Sequence, residues 1–128
     1  MSVLGLGIDV VDLGRIRSLY ERHGERFTRR ICRPGEIKPR QGDALIEHLG
    51  GLFAAKEAAL KALGTGWAQG LSLRMVEIVK EKSGAPGLRL HDAAAARAAA
   101  LGVERCLLSI SHERTFAAAV AVLEGNPL

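Results

Sequence analysis

The chain has 128 residues, of which 48% are apolar and only 4% are aromatic, and its formal net charge is +4. This length suits one domain spanning residues 1–128, with an aliphatic core so thin that association with further copies would help to bury it. A basic chain favours an acidic partner, such as nucleic acid, anionic lipid, a phosphate-bearing substrate or an acidic protein.

Cysteine usage and the N-terminal segment both favour a reduced, cytoplasmic protein. Cys32 and Cys106 lie far apart and in no CxxC pattern, so neither a disulfide framework nor a zinc site is expected. The run MSVLGLGIDVVDLG has no basic residues before its apolar stretch, which Asp9 and Asp12 interrupt. The sequence therefore predicts neither a signal peptide nor a membrane span.

The first predicted element is a strand at residues 3–11, VLGLGIDVV. Its apolar residues alternate on one face, as side chains of a strand do (Leu4, Leu6, Ile8 and Val10). The other face carries Asp9 together with Gly5 and Gly7. Glycine within a strand indicates close approach of another backbone or of a ligand. We therefore expect the space beside the Asp9 carboxylate to be kept clear.

A basic segment follows this strand. Asp12 is predicted to cap a helix that runs to about His23 and stops at Gly24. A short helix is expected near residues 25–31, and RPGEIKPRQG after it resembles a loop. Nine of the chain's 18 Lys and Arg residues lie between positions 15 and 40, against three acidic residues. The nine are Arg15, Arg17, Arg22, Arg26, Arg29, Arg30, Arg33, Lys38 and Arg40.

Residues 43–63 are predicted to form one helix, or two helices broken at Gly50-Gly51. On a helical wheel Lys56 lies inside the apolar arc, Glu57 lies at its edge, and Lys61 follows one turn beyond Glu57. The opposite face is alanine, so it too is expected to pack closely. A purely structural alternative is a Glu57–Lys61 helix pair, with the Lys56 stem lying along apolar surface.

Gly64, Thr65 and Gly66 follow this helix. Structurally, such a turn is a helix C-cap. Functionally, its glycines would let backbone amides approach phosphate oxygens, with lysines nearby to neutralise charge. One short glycine turn does not decide between these interpretations.

The remaining sequence predicts two strand pairs separated by a helix. The strands are LSLRMVEIV, LRLH, CLLSISH and FAAAVAVL, and KSGAPG is the turn within the first pair. Asp92 begins an alanine-rich helix that Gly102 ends. Strand pairs joined by short turns are antiparallel, so the order β-α-α-α-β-β-α-β-β predicts an α+β fold.

Asp9 and Glu57 could together hold one Mg²⁺, which is typically bound by one or two carboxylates and by substrate phosphates. Taken singly, each carboxylate is more often a surface or capping residue, and His112 near a hairpin tip is more often structural. RNA binding would explain the basic segment, but the sequence has no aromatic stacking platform and no RNA-binding motif. Neither nucleic acid nor membrane is therefore expected as a partner.

Three segments taken together resemble one known family. GIDVVDLGRI, FAAKEAALKALGTG and SISHERTFAAAVAV resemble the holo-acyl-carrier-protein synthases, the short phosphopantetheinyl transferases. The resemblance runs nearly end to end, and GIDxV combined with KEAxxKAxGTG is highly specific. It implies an α+β enzyme that transfers 4′-phosphopantetheine from coenzyme A to a serine hydroxyl of an acyl carrier protein. The second product would be adenosine 3′,5′-bisphosphate.

The resemblance also implies roles for individual residues. Asp9 and Glu57 match the ligands of Mg²⁺, and with Lys61 they form the predicted catalytic set. The predicted coenzyme-binding residues are Lys56, Lys61, Gly64, Thr65, Gly66, Ser111 and His112. Arg15 and Arg22 lie on the helix expected to face the acidic carrier protein. The family commonly assembles as homotrimers with each coenzyme site at a subunit boundary, which agrees with the thin core.

The sequence departs from the family pattern at three places. Leu52 stands where an arginine associated with the 3′-phosphate of the coenzyme is usual, and Gly84-Ala85-Pro86 stands where Gly-Lys-Pro is frequent. In the segment RxCRPGE, Arg33 stands where a Ser or Thr is often seen before the glutamate. The predicted catalytic set is retained, so we expect activity. A non-catalytic homologue that only binds the carrier protein is the alternative. Glu57 or a metal-bound water could accept the serine proton, and the sequence does not choose between them.

Overall fold

The computed structural model describes residues 1–64 and 70–128. Its helices and strands are β1 Ser2–Asp12, α1 Leu13–His23, α2 Glu25–Ile31, α3 Gly42–Ala62, β2 Val76–Lys80, β3 Pro86–Leu90, α4 Asp92–Leu101, β4 Val103–His112 and β5 Phe116–Gly125. The strands form a three-stranded sheet in the order β1-β5-β4 and a separate β2-β3 hairpin, and all these pairs are antiparallel. The α+β class predicted from the sequence is confirmed.

The backbone of helix α3 packs directly against the backbone of β1. A Cβ atom added to Gly7 would lie 1.9 Å from the Ala58 carbonyl oxygen, and one on Gly5 would lie 2.0 Å from the Ala62 carbonyl oxygen. Both distances are far below van der Waals contact, so only glycine permits this approach. The glycines of β1 therefore make room for a helix backbone and not for a ligand. Asp9 follows two residues later on the same face of the strand.

The second glycine pair does not break α3, which is continuous over Gly42–Ala62. A Cβ on Gly50 would lie 2.3 Å from Leu13 Cδ2, and one on Gly51 would lie 3.3 Å from Ile110 Cγ2. These glycines allow α1 and β4 to pack closely on the helix. Of the two alternatives that the sequence left open, the single helix is the one observed. Among the described residues, no helix is long and apolar enough to cross a bilayer.

The strand predicted for LSLRMVEIV is wrong in its first half. Leu73–Met75 form a 3₁₀ turn, and β2 begins only at Val76. The buried lysine Lys56 accounts for this difference, because its ammonium donates to the carbonyl oxygens of Leu73 and Val76. The Leu73 carbonyl also accepts the Val76 N–H within the 3₁₀ turn, so the turn and the Lys56 side chain hold it together.

The outer face of the three-stranded sheet is apolar and exposed. Leu6, Ile8 and Val10 of β1 are 65%, 59% and 60% exposed. They are paired in register with apolar residues of β5 (Val122, Val120 and Ala118). Leu107 of β4, opposite Val122, is 43% exposed. The apolar face predicted for the first strand thus points away from α3, and an apolar patch of this kind marks an interaction surface.

The two cysteines are free. Cys32 is buried, and burial raises the pKa of its thiol to about 12. Burial also raises the pKa of the half-buried Cys106 thiol. Both thiols are therefore protonated at neutral pH, which makes them poor nucleophiles.

Replacing Gly7 with alanine should lower the free energy of unfolding by about 3 kcal/mol, because the new methyl group meets the backbone of α3, which cannot yield. Gly51→Ala is the matched control, since its methyl group would meet only the Ile110 side chain, and helix propensity partly offsets the strain. Urea unfolding at equal protein concentration measures both effects. Equal losses for the two variants would contradict the backbone contact.

Candidate active site

The contact between β1 and α3 places Asp9 against Lys61. The Lys61 ammonium lies 3.0 Å from Asp9 Oδ1 and 3.0 Å from the Ile8 carbonyl oxygen. The Asp9 side chain is 15% exposed and that of Lys61 is 51% exposed. Two predicted catalytic residues that are 52 positions apart in sequence are therefore in direct contact.

Glu57 faces the same cavity as this pair. The cavity has a volume of about 1010 Å³, and Asp9, Glu57 and Lys61 all line it. Helices α1 and α2 form another part of its wall with Arg15, His23, Arg26, Arg30 and several apolar side chains (Leu19, Phe27 and Ile31). The Arg15 guanidinium carbon lies 5.6 Å from the centre of the Phe53 ring, within the range of a cation–π contact. The cavity thus combines two carboxylates with several cations.

The donor set of this cavity fits a hard divalent cation. Mg²⁺ is usually held by one or two carboxylates, with water and substrate phosphates completing its shell. Asp9 and Glu57 supply that number of carboxylates, and the Lys61 ammonium on Asp9 shows that a positive charge is stabilised at this position. Within residues 1–64 and 70–128 no group of three or more His, Cys, Asp or Glu residues gathers as a metal cage. Two carboxylates alone would leave most positions around such an ion to water or substrate oxygens.

Lys56 does not belong to this cavity, which corrects its predicted contact with coenzyme. Its side chain is 0% exposed, and its ammonium lies 2.9 Å from the buried carboxylate of Glu36. That carboxylate also accepts hydrogen bonds from the backbone N–H groups of Arg33 and Ile78. Lys56 and Glu36 thus tie the loop after α2, helix α3 and the start of β2 together. An acidic residue inside a strongly basic segment was the only sequence signal for Glu36.

His112 and Ser111 are not among the residues that line the cavity of Asp9, Glu57 and Lys61. His112 Nδ1 is 3.3 Å from Glu47 Oε2, and Ser111 is exposed on β4. His112 lines a second cavity, of about 410 Å³, together with Glu47 and Leu52. The structure of one chain therefore does not bring His112 to Asp9 and Glu57.

Arg40 and His48 also line this second cavity and were not predicted as site residues. His48 Nε2 lies 3.0 Å from the Glu36 carbonyl oxygen. Burial lowers the pKa of His48, and the nearby Arg40 and Lys38 act in the same direction, so the imidazole is neutral at pH 7. Arg40 thus lines the same cavity as Leu52, the residue that stands where the family pattern has an arginine.

Gly64 begins the glycine turn at the end of α3. Its φ of +81° lies in the left-handed region that favours glycine, and its N–H donates to the Lys61 carbonyl oxygen at 2.9 Å. Thr65 and Gly66 lie outside the described residues. Of the carrier-protein residues predicted on α1, Arg15 faces the large cavity and Arg22 is exposed in the last turn of the helix.

Comparison with known proteins identifies the family. The family model for the 4′-phosphopantetheinyl transferase superfamily matches residues 5–121. The chain belongs to this superfamily. Holo-[acyl-carrier-protein] synthases of Halorhodospira halophila and Solidesulfovibrio magneticus are 49% and 51% identical to it. The alignments cover 94% and 96% of this chain and 97% and 99% of those proteins. The resemblance seen in the three sequence segments is thereby confirmed.

Solved structures of the family share this fold. The holo-[acyl-carrier-protein] synthase of Neisseria meningitidis has a TM-score of 0.85 at 32% identity, over 96% of this chain and 99% of that one. The Bacillus anthracis enzyme, in complex with CoA (3′,5′-ADP), has a TM-score of 0.79 at 34% identity, over 97% and 98% of the two chains. The Helicobacter pylori enzyme, in complex with coenzyme A, has a TM-score of 0.78 at 32% identity, over 93% and 99%.

Replacing Lys56 with methionine should lower the free energy of unfolding by about 3–5 kcal/mol, because it leaves the Glu36 carboxylate buried without its cation. Arg29→Met is the matched control, since it removes an exposed ion pair to Glu25 and should cost under about 0.5 kcal/mol. Urea denaturation followed by circular dichroism compares the two variants. A loss below about 1 kcal/mol for Lys56→Met would contradict a structural role.

Proposed function

We propose that the chain transfers the 4′-phosphopantetheine group of coenzyme A to a serine hydroxyl of an acyl carrier protein, in a Mg²⁺-dependent reaction that releases adenosine 3′,5′-bisphosphate. The observation that carries this proposal is the meeting of Asp9, Glu57 and Lys61 in one cavity. The relatives named holo-[acyl-carrier-protein] synthase and the coenzyme complexes of homologous enzymes support the substrate assignment.

The chemistry requires positioning and charge neutralisation more than covalent help from the protein. The serine oxygen forms a bond to the phosphorus that carries pantetheine, while the bond from that phosphorus to the adenosine bisphosphate breaks. Asp9 and Glu57 would hold Mg²⁺, which when bound neutralises negative charge on the pyrophosphate. Lys61 stands beside them to add positive charge. Glu57 lines the cavity and is a candidate acceptor for the serine proton.

Mass spectrometry of an apo acyl carrier protein incubated with coenzyme A, Mg²⁺ and this protein tests the proposed function. A gain of one phosphopantetheine on the carrier serine is the expected result. A stable complex without any mass gain would instead favour a non-catalytic protein that only binds the carrier. The absence of both a complex and a mass gain would contradict both functions.

The metal proposal makes a separate prediction about the two carboxylates. Asp9→Asn and Glu57→Gln should each reduce turnover by roughly 10²-fold or more while preserving the fold, because each removes a ligand of one ion. Their combination should cost little beyond either change alone. Calorimetric titration with Mn²⁺ should show weakened binding in both variants.

The exposed Glu21→Gln on α1 is the control for this series and should bind Mn²⁺ as the unaltered protein does. Normal turnover of both single variants at limiting Mg²⁺ would refute the shared metal site. Lost turnover together with a lower melting temperature in the absence of metal would instead indicate that these carboxylates are structural.

Reversal of charge on α1 should weaken capture of the carrier protein. Arg15→Glu and Arg22→Glu should each lower kcat/KM for the carrier by roughly tenfold and reduce its salt dependence, because they remove cations that attract an acidic partner. Affinity for coenzyme A should barely change in Arg22→Glu, because Arg22 is exposed in the last turn of α1, whereas Arg15 lines the Asp9 cavity. Lys82→Glu, in the β2-β3 turn, is the matched charge reversal and should leave kcat/KM near normal. A fall in the coenzyme affinity of Arg22→Glu would mean that α1 serves the coenzyme instead.

We also propose that the protein acts as a homotrimer with active sites between subunits. The Asp9 cavity and the His112 cavity are separate in one chain, so a coenzyme that uses both needs a second copy. The outer face of the three-stranded sheet offers apolar surface for that contact. In such an assembly, Arg40 and His112 of one subunit would approach the adenosine end of a coenzyme held by its neighbour.

Light scattering should report about three chains per particle. Leu6→Glu should dissociate the assembly and abolish most activity, because it places a charge on the exposed apolar face while leaving the core of each chain intact. Lys82→Glu should leave the particle size unchanged. Full activity in a monomer would rule out active sites that span subunits.

A further inference from the structure

Arg97 links α4 to the C-terminal end of α3. Its Nε donates to the Leu63 carbonyl oxygen at 3.1 Å. Its terminal NH2 nitrogen lies 3.7 Å from the position that a Cβ atom on Gly64 would occupy. Arg97 is half-buried and is the only basic residue of α4, whose other residues are Asp92, Leu101 and alanine. The structure thus places one guanidinium at the first residue of the glycine turn.

The neighbouring backbone groups show what this contact adds. The N–H groups of Leu63 and Gly64 donate to the carbonyl oxygens of Ala59 and Lys61, so the last turn of α3 is closed by its own backbone. The Leu63 carbonyl lies beyond this closed turn, and Arg97 holds it. This carbonyl belongs to the peptide that leads into Gly64. Arg97 therefore holds the peptide between Leu63 and Gly64, two residues after Lys61.

An arginine suits two tasks at this place. The bond from Nε to Leu63 uses one of its five N–H donors, and the terminal groups beside Gly64 retain the capacity to donate to an anion. The guanidinium also keeps its positive charge at any physiological pH and matches phosphate oxygens in geometry. A methionine of similar length would fill the same space without either property.

We infer that Arg97 is a positioning residue for the pyrophosphate of a nucleotide coenzyme, because it orients the peptide that enters the glycine turn and adds a positive charge beside it. The inference rests on the proposed function in that the coenzyme is taken to bind at this turn. It gives α4 a part in coenzyme binding, although none of the predicted catalytic residues lies on this helix.

Calorimetric titration of Arg97→Met with coenzyme A and with dephospho-coenzyme A tests this inference. The dissociation constants of both ligands should rise about tenfold, since both contain the pyrophosphate. Arg97→Lys should show a smaller rise, because it keeps the charge but lacks the planar Nε donor. Arg89→Met, which removes an exposed arginine of β3, should leave both constants unchanged. In the transferase assay, KM for coenzyme A should rise while kcat changes less than twofold.

Three results would overturn the inference. These are unchanged affinity in Arg97→Met, an equal loss in Arg89→Met, or a loss confined to coenzyme A, which would assign Arg97 to the 3′-phosphate. If Arg97→Met fails to fold by circular dichroism, the comparison of Arg97→Lys with Arg89→Met decides in the same way. The proposed function fails separately, when the unaltered protein binds coenzyme A but adds nothing to an apo carrier protein.

Discussion

The backbone contact between β1 and α3 is the constraint on which the candidate site depends. Gly5 and Gly7 let the helix approach until its carbonyl oxygens occupy the space where their side chains would be. Two residues further along, the same strand face delivers Asp9 to Lys61. Any side chain at Gly7 would push the helix away and open that ion pair. The charged cavity is thus a consequence of how closely two apolar elements pack.

Three charged side chains of helix α3 lie in three different surroundings. They are Lys56, Glu57 and Lys61. Lys56 points into the core, where the Glu36 carboxylate and two backbone carbonyls neutralise and bond it. Glu57 faces the large cavity. Lys61 reaches back to β1 and pairs with Asp9. Removing the buried cation would leave a buried carboxylate unpaired, which costs far more than losing an exposed pair. One lysine of this helix is therefore structural, and the other belongs to the cavity.

Local sequence patterns predicted those parts of the fold that depend on residues close together in the chain. The Asp12 cap of α1, the end of α4 at Gly102 and the antiparallel strand pairs were all predicted and are observed. The buried partner of Lys56 was missed because Glu36 is brought to it only by the tertiary fold. Strand alternation identified the apolar face of β1 but could not tell which face another element covers. The separation of His112 from Asp9 likewise depends on the packing of distant segments, which no short motif encodes.

Anomalous X-ray diffraction from crystals grown with Mn²⁺ and coenzyme A tests most directly whether the β1–α3 contact creates a metal-dependent coenzyme site. The account predicts one manganese peak per chain, within coordination distance of Asp9 and Glu57. Coenzyme phosphate oxygens should complete the coordination shell, and Lys61 should lie beside them. A well-ordered coenzyme with its pyrophosphate away from these side chains, or a manganese ion bound elsewhere, would contradict it.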